Sequence, residues 1–378
     1  MDTARYAPQH QEETKKMAAF WLEFSQDNIF GGYFCALSSK GEVATSDKWI
    51  AWHGQQAYTF AQHYQNTPSQ PEWLAYAQHG ADFLLQFGAD AKDNWRAVVD
   101  CSGHLVLPAT DAQPEAWAAA AWSKLAVITA EEIYAEAAKK TLLKALKRRE
   151  KTLQKWTDDV TGPRRLKNIA EWSALATALL TASELLHEKI WKEKATALLE
   201  ELMTHFWEPR AGLLLENVFP QGGYCDCPEG RKLNPGRIFE AINVGLELAK
   251  LLKKRQIGQK LAKHVQFIAE TTWDEKYGGF FHWLDLKTMP TLNPAADYKL
   301  VSTQLAALQT LQKANAILNQ PEIFKLWQRI HDYTWQHFPD LSSTGEWTGV
   351  LSRHGEPLLN LKASPDKSAY HTLGWLGV

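Results

Sequence analysis

Three glycines, each following an aromatic-rich stretch, stand at Gly212, Gly278 and Gly345, 66 and 67 residues apart. Around them the chain reads Phe206-Trp207 to Gly212-Leu213-Leu214-Leu215, Trp273 to Gly278-Gly279-Phe280-Phe281, and Gly345-Glu346-Trp347. In an earlier copy, Phe30-Gly31-Gly32-Tyr33-Phe34, Gly31 stands 181 residues before Gly212, close to three units of about 60. A fixed period of this length marks a repeat architecture. Helix fills each period: Ala170 to Leu186 carries Leu175, Ala178, Leu179, Ala182 and Leu185 at steps of three and four, and Trp191 to Phe206, Ile257 to Ile268, Leu300 to Leu318 and Ile323 to Phe338 read alike. Two helices per period across 378 residues predict about twelve helices in six hairpins. The expected fold is all-α, an (α/α)6 barrel with the Gly-aromatic pieces as short β-hairpins at one end. An open solenoid is the competing arrangement. Closure is favoured because the chain shows no obvious polar capping repeats. No Pro-, Gly- or Ser-rich linker divides the chain, so residues 1–378 are expected to form one domain.

Composition narrows the partners. A formal net charge of -2 argues against a nucleic-acid partner, which needs a basic stripe. The densest basic run, Lys139 to Lys155, has Leu142, Leu143, Leu146 and Leu153 interleaved and reads as a solvated outer helix face. No apolar stretch is long enough for a membrane span, and the N-terminus has no signal core. Four cysteines make no disulfide framework, and Cys225 and Cys227 stand too close for a comfortable zinc pair. A cytoplasmic setting without metal is expected. The outlier is tryptophan, with 17 residues, whose flat faces suit the C–H faces of sugar rings as well as core packing.

The segment from Asp226 to Ala241 carries the densest chemistry. Asn234-Pro235-Gly236 is turn chemistry, and a helix starts at once. Arg237 and Glu240 lie three apart in its first turn, so both project from one face. That is a surface ion pair or a pair of polar groups presented to a cavity.

Seven ordered blocks resemble the N-acylglucosamine 2-epimerase family, which comprises (α/α)6-barrel sugar epimerases and aldose–ketose isomerases. They are Gly31-Gly32-Tyr33-Phe34 with Asp47 through Gln56, Pro114-Glu115-Ala116-Trp117, Leu166-Lys167, Pro228-Glu229-Gly230-Arg231 with Asn234-Pro235-Gly236, Trp273-Asp274 through Phe281 with Leu284-Asp285, Lys299-Leu300, and Glu346 through Arg353 with Lys367 and Tyr370-His371. The chain departs from the family pattern where Arg237 replaces a His, Gln55 an Arg, Val301-Ser302-Thr303-Gln304 a Trp-Trp-Pro-His stretch, and Leu373-Gly374 the usual Pro-Arg.

The resemblance implies proton transfer at C1/C2 of a reducing monosaccharide or N-acyl hexosamine through an enediolate. His371 is then the expected base, since imidazole titrates near neutrality. Glu240 orients or polarises a neighbour. Arg237, always protonated, serves as electrophile or anion clamp. Trp52, Gln55, Glu115, Arg231, Lys299 and Gln304 are the expected substrate contacts, with core packing or loop bracing the alternative for Trp52, Arg231 and Lys299. No cofactor is expected, and without a phosphate-binding loop no nucleotide is required. The family also implies pairing as a homodimer.

Two other classes remain open. One is a sugar-binding paralogue whose catalytic pair has decayed. The other is a glycoside hydrolase or lyase on the same barrel, using two of Asp47, Glu115, Glu171 and Glu240. His53, His63 and His282 read as packing or surface residues, with lining of the mouth the lesser alternative.

Overall fold

Alanine, leucine and tryptophan recur at helical spacing, and proline starts many of the helices they form. A computed structural model describes residues 4–154, 166–185, 188–291, 293–340 and 345–376. Its helices are α1 (Ala7–Phe24), α2 (Ile50–Asn66), α3 (Pro71–Phe87), α4 (Gln113–Thr129), α5 (Glu132–Gln154), α6 (Ile169–Leu185), α7 (Lys189–Glu201), α8 (Pro228–Arg231), α9 (Pro235–Leu251), α10 (Arg255–Thr271), α11 (Val301–Leu318), α12 (Pro321–His337) and α13 (Leu373–Leu376). Proline opens α3, α4, α9 and α12, where its missing N–H costs nothing and its fixed φ favours helix. Ala130 and Asn319 end α4 and α11 in the left-handed conformation.

Two rings result. Helices α2, α4, α6, α9 and α11 pack side by side in that order. Behind them α3 packs on α2 and α4, α5 on α4 and α6, α7 on α6 and α9, and α10 on α9 and α11. An inner helix is covered on both sides, so α4 buries residues all round, from Pro114 to Leu125 without a break. An outer helix such as α12 buries one stripe, at Ile323, Trp327, Ile330, Tyr333 and Thr334. Inner helices approach closely: a Cβ on Gly54 of α2 would lie 2.6 Å from the Trp117 backbone of α4. The sixth inner position is filled by a short 3-10 turn, Ala369–His371, and α13, which lie against α2 and α11. Eleven helices of thirteen residues or longer are therefore found among the described residues, with α13 in the twelfth place.

Short strands precede the inner helices and pair with neighbouring hairpins: Lys48–Trp49 with Arg96–Val99, Lys167–Asn168 with Asn217–Val218, Lys232–Leu233 with Leu284–Asp285, and Lys299–Leu300 with Val350–Leu351. The expected Gly-aromatic hairpins are separate from these: Trp207–Glu208 pairs with Leu213–Leu214, and single bridges close Gln26 on Tyr33 and Trp273 on Phe280. The repeat is also chemical. Gly31 and Gly278 turn at φ +79° and +77°, a conformation open to glycine. Beside each turn a buried lysine meets an acid, Lys48 with Asp27 at 2.7 Å and Lys299 with Asp274 at 3.1 Å. Lys167 and Lys367 do the same with Glu201 (2.7 Å) and Glu346 (2.9 Å). An ammonium buried this deeply persists because it is paired.

The basic helix α5 differs from its expected role as a solvated face. Lys139, Lys140 and Lys144 do face outward, toward Glu188 and Asp93. Arg149 turns inward and grips Glu201 with two nitrogens at 2.8 and 2.9 Å, and Arg148 pairs with buried Glu115. Lys155 lies outside the described residues. Among the described residues no helix is long and apolar enough to cross a membrane.

Candidate active site

Helix α9 begins with a side-chain cap: Asn234 Oδ1 accepts from the Arg237 N–H at 3.2 Å. Its first turn therefore holds a fixed direction. Arg237 Nη1 meets Glu240 Oε2 at 3.3 Å, and Glu240 Oε1 accepts from the Tyr370 hydroxyl at 2.9 Å. The Arg237 side chain keeps 38% of its surface accessible, at the hairpin end where the strand Lys232–Leu233 leads into α9. Burial disfavours its charge, but Glu240, Glu216 and Asp366 outweigh burial and raise its pKa.

The segment after Lys367 is held from α2. Ser368 Oγ donates to Gln55 Oε1 at 3.1 Å, and the Ala369 N–H donates to Gln56 Oε1 at 2.8 Å. The Ser368 N–H in turn donates to His371 Nδ1 at 3.0 Å. A backbone N–H can only donate, so Nδ1 is the bare nitrogen and the neutral ring carries its hydrogen on Nε2. Burial first, then the charges of Arg237 and Lys367, push the imidazole pKa down to about 3. His371 is thus neutral at pH 7 and presents a donor. That corrects the base expected from the sequence: the free lone pair is already taken by the backbone.

Arg237, Glu240, His371 and Gln55 are brought together as expected, and Tyr370 joins them. The other expected contacts are not. Trp52 is 2% exposed, donates from Nε1 to the Ser364 carbonyl at 3.1 Å, and packs edge-on against Trp21, which makes it core. Lys299 is fully buried in its repeat pairing with Asp274. Gln304 is also fully buried, accepting from the Phe280 N–H and donating to the Leu300 carbonyl, both at 3.3 Å. Arg231 braces two loops through Asp285 (3.0 Å) and Asp226 (3.3 Å). Glu115 is buried against Arg148, and burial pushes its pKa up to about 7 despite that partner. Trp52, Lys299, Gln304 and Glu115 are buried, and Arg231 is turned to two carboxylates, so each is directed at protein partners.

Of the three single histidines, His53 and His63 are buried packing residues. His53 accepts from the Tyr33 N–H at 2.9 Å and faces the Trp49 carbonyl at 2.8 Å. His282 is different. It is only partly buried and shares the electrostatic surroundings of Arg237. It precedes the strand Leu284–Asp285, whose partner Lys232–Leu233 leads directly into α9. Next to it, Trp283 carries the Lys232 ammonium 4.0 Å above its ring. In the sequence this position stands out only as a single histidine, with lining of the mouth its lesser reading.

One cavity touches this cluster through Tyr370, and a second lies away from it. One of about 330 Å³ is lined by Tyr58, Thr177, Asn243, Lys313, Tyr370 and Trp375, so Tyr370 stands between it and Glu240. A larger one, about 840 Å³, runs beside α13 where the inner ring holds a single turn, between α1, α11 and α12.

Chemically, the cluster offers a guanidinium and a neutral N–H near a carboxylate held by a phenol. Such donors suit an oxyanion that develops beside them.

Known proteins agree with this architecture. The model of the N-acylglucosamine 2-epimerase (GlcNAc 2-epimerase) family matches residues 31–374. The N-acylglucosamine 2-epimerase of Mus musculus is 24% identical over 380 residues, covering 96% of this chain and 88% of that protein. Among solved structures, the cellobiose 2-epimerase of Bacillus thermoamylovorans superposes with a TM-score of 0.82 at 16% identity, over 99% of this chain and 98% of that one. A D-mannose isomerase gives 0.81 at 17% identity, over 100% and 97%.

Proposed function

The chain belongs to the N-acylglucosamine 2-epimerase family, and from that premise we propose that it moves a proton at C1/C2 of a reducing monosaccharide or N-acyl hexosamine through an enediolate. The observation that carries the reading is the cluster of Arg237, Glu240, Tyr370 and His371 at the hairpin end of the barrel. Removing the proton next to a carbonyl places negative charge on the carbonyl oxygen. Arg237 and the Nε2–H of His371 stabilise that charge. A neutral imidazole does so without first losing a proton to solvent. Glu240 fixes Arg237 on one side and Tyr370 on the other. The substrate contacts are Arg237, His371 and the rim formed by Lys232 and Trp283.

A second reading has one specific observation behind it. The bare nitrogen of His371 is committed to the Ser368 N–H, which is what a sugar-binding protein without turnover would tolerate. Proton NMR in D2O separates the two. The protein is incubated with mannose, glucose, fructose, N-acetyl hexosamines and uronic acids. Deuterium at C2 with a new ketose or epimer is the expected result. Sugar binding without exchange at any C2 would leave the binding reading in its place.

A further inference from the structure

Abstraction of a carbon-bound proton needs a lone pair, and the neutral His371 ring carries a hydrogen on Nε2. We propose that His282 is the base: its Nε2 takes the C2 proton while Arg237 and His371 hold the oxyanion. This rests on the function proposed above and adds the missing proton acceptor.

The geometry is specific. His282 Nδ1 lies 3.2 Å from the Ala295 carbonyl oxygen. A carbonyl can only accept, so Nδ1 carries the hydrogen and Nε2 is bare. This is the opposite tautomer to His371. The ring leans on Trp283 at 4.4 Å and 38°, and Trp283 is in turn covered by Lys232. The pairing Leu233↔Leu284 sets the residues just before Leu284 beside the start of α9, whose first turn carries Arg237. The charged groups that act on His282 are Lys232, Asp366 and Arg237. Asp366 also acts on Arg237, so His282 and Arg237 share an acidic neighbour. Burial, Lys232 and Arg237 bring the imidazole down to about 4, against the Ala295 bond and Asp366. It is therefore uncharged at neutral pH, with Nε2 open to a proton. Once it accepts a proton, Asp366 and the enediolate balance its charge.

The step is closed in atoms and electrons. The C2–H pair becomes the C1–C2 π bond, the carbonyl pair moves to O1, and the proton goes to Nε2. The imidazolium then returns that proton to C1, the O2 hydroxyl proton passes to O1, and C2 becomes the carbonyl of a ketose. With His371 a donor and Glu240 held by Tyr370 and Arg237, one base serves one face. The product class is a ketose rather than a C2 epimer.

The test compares the wild type with His282→Asn and His282→Ala by proton NMR in D2O on the sugar panel above. Asn keeps an N–H for the Ala295 carbonyl and removes the base. We expect wild-type ketose formation, a kcat at least about 10²-fold lower in His282→Asn, and KM within about threefold. Added imidazole should restore part of the His282→Ala rate, a readout that a purely structural role would not move. If His282→Asn turns over like the wild type, or if the product is the C2 epimer, His282 is not the single base, although the proposed function stands. If the wild type exchanges no sugar, the proposed function fails and the base assignment with it. Should His282→Asn fail to fold by circular dichroism, imidazole rescue of His282→Ala decides: rescue supports the base, and its absence overturns it.

Discussion

The Tyr370 hydroxyl donates to Glu240 Oε1 across 2.9 Å and 130 residues of chain. This bond joins the start of α9 to the segment that stands in for a sixth inner helix. Tyr370 is enclosed, and burial together with Glu240 raises its pKa well above the ordinary phenol value, so it remains a donor. Its ring also meets Trp117 edge-on at 4.6 Å. Tyr370→Phe keeps that packing and leaves a buried carboxylate oxygen without its donor. Stability should fall by about 1–3 kcal/mol in urea melts, and turnover should drop because Glu240 no longer holds Arg237 in place. An unchanged urea midpoint would show that Glu240 finds another donor.

Stability should rise with pH between about 4 and 6.5 because several imidazoles are held uncharged by burial, His53 and His371 most strongly. Burial lowers His53 and His371 to about 3, against about 6.5 in the unfolded chain. The unfolded state binds the extra protons, so the contribution is complete above pH 6.5 and shrinks as pH falls toward 3. Each group gives a slope of about 1.4 kcal/mol per pH unit inside that window. Glu115 opposes them: its folded pKa of about 7 lies above the unfolded value, so its contribution is present in acid and lost as pH rises through 7. Glu171 and Glu216 are raised by burial too, but His10, His264, His282 and His331, each lowered to about 4, add to the imidazole side, so six groups against three leave the sign positive. Urea midpoints from pH 4.5 to 7 should therefore climb, and a flat series would contradict the buried neutral tautomers.

Much of this was legible in the residues themselves. The spacing of Gly212, Gly278 and Gly345 carried the ring of hairpins, and the blocks around Arg237, Glu240 and His371 carried their convergence. What was not legible is the direction of single hydrogen bonds. The tautomer of His371 depends on the Ser368 N–H, and that of His282 on the Ala295 carbonyl. Neither leaves a trace in composition or period. Lys299 looked like a ligand contact because it stands in a family block. Seen beside Lys48, it is the second copy of a buried staple.

That staple makes its own prediction. Lys299→Met removes the partner of buried Asp274, leaving Arg353 as the carboxylate's remaining cation at 2.8 Å. Breaking a buried pair from one side costs about 3–5 kcal/mol, and Arg353 should hold the loss to the lower end. The folded fraction should keep the KM of the wild type, since Lys299 has no exposed surface. A raised KM at unchanged stability would return Lys299 to the substrate site.

Arg237 separates two jobs that a cation can do in this cavity. Glu240, Glu216 and Asp366 already act on its charge, which makes a fourth, substrate-borne carboxylate a poor fit. A hydroxyl or carbonyl oxygen of a neutral sugar, gaining charge only in the transition state, fits better. Arg237→Gln should therefore lower kcat on neutral sugars by about 10²–10³ with little change in KM. Arg237→Lys keeps the charge without the planar fork and should fall between. If Arg237→Gln instead raised KM for uronic acids and left neutral sugars untouched, the guanidinium would be an anion clamp. The kcat and KM pairs for mannose and for a uronic acid, measured on the three proteins, decide between these outcomes.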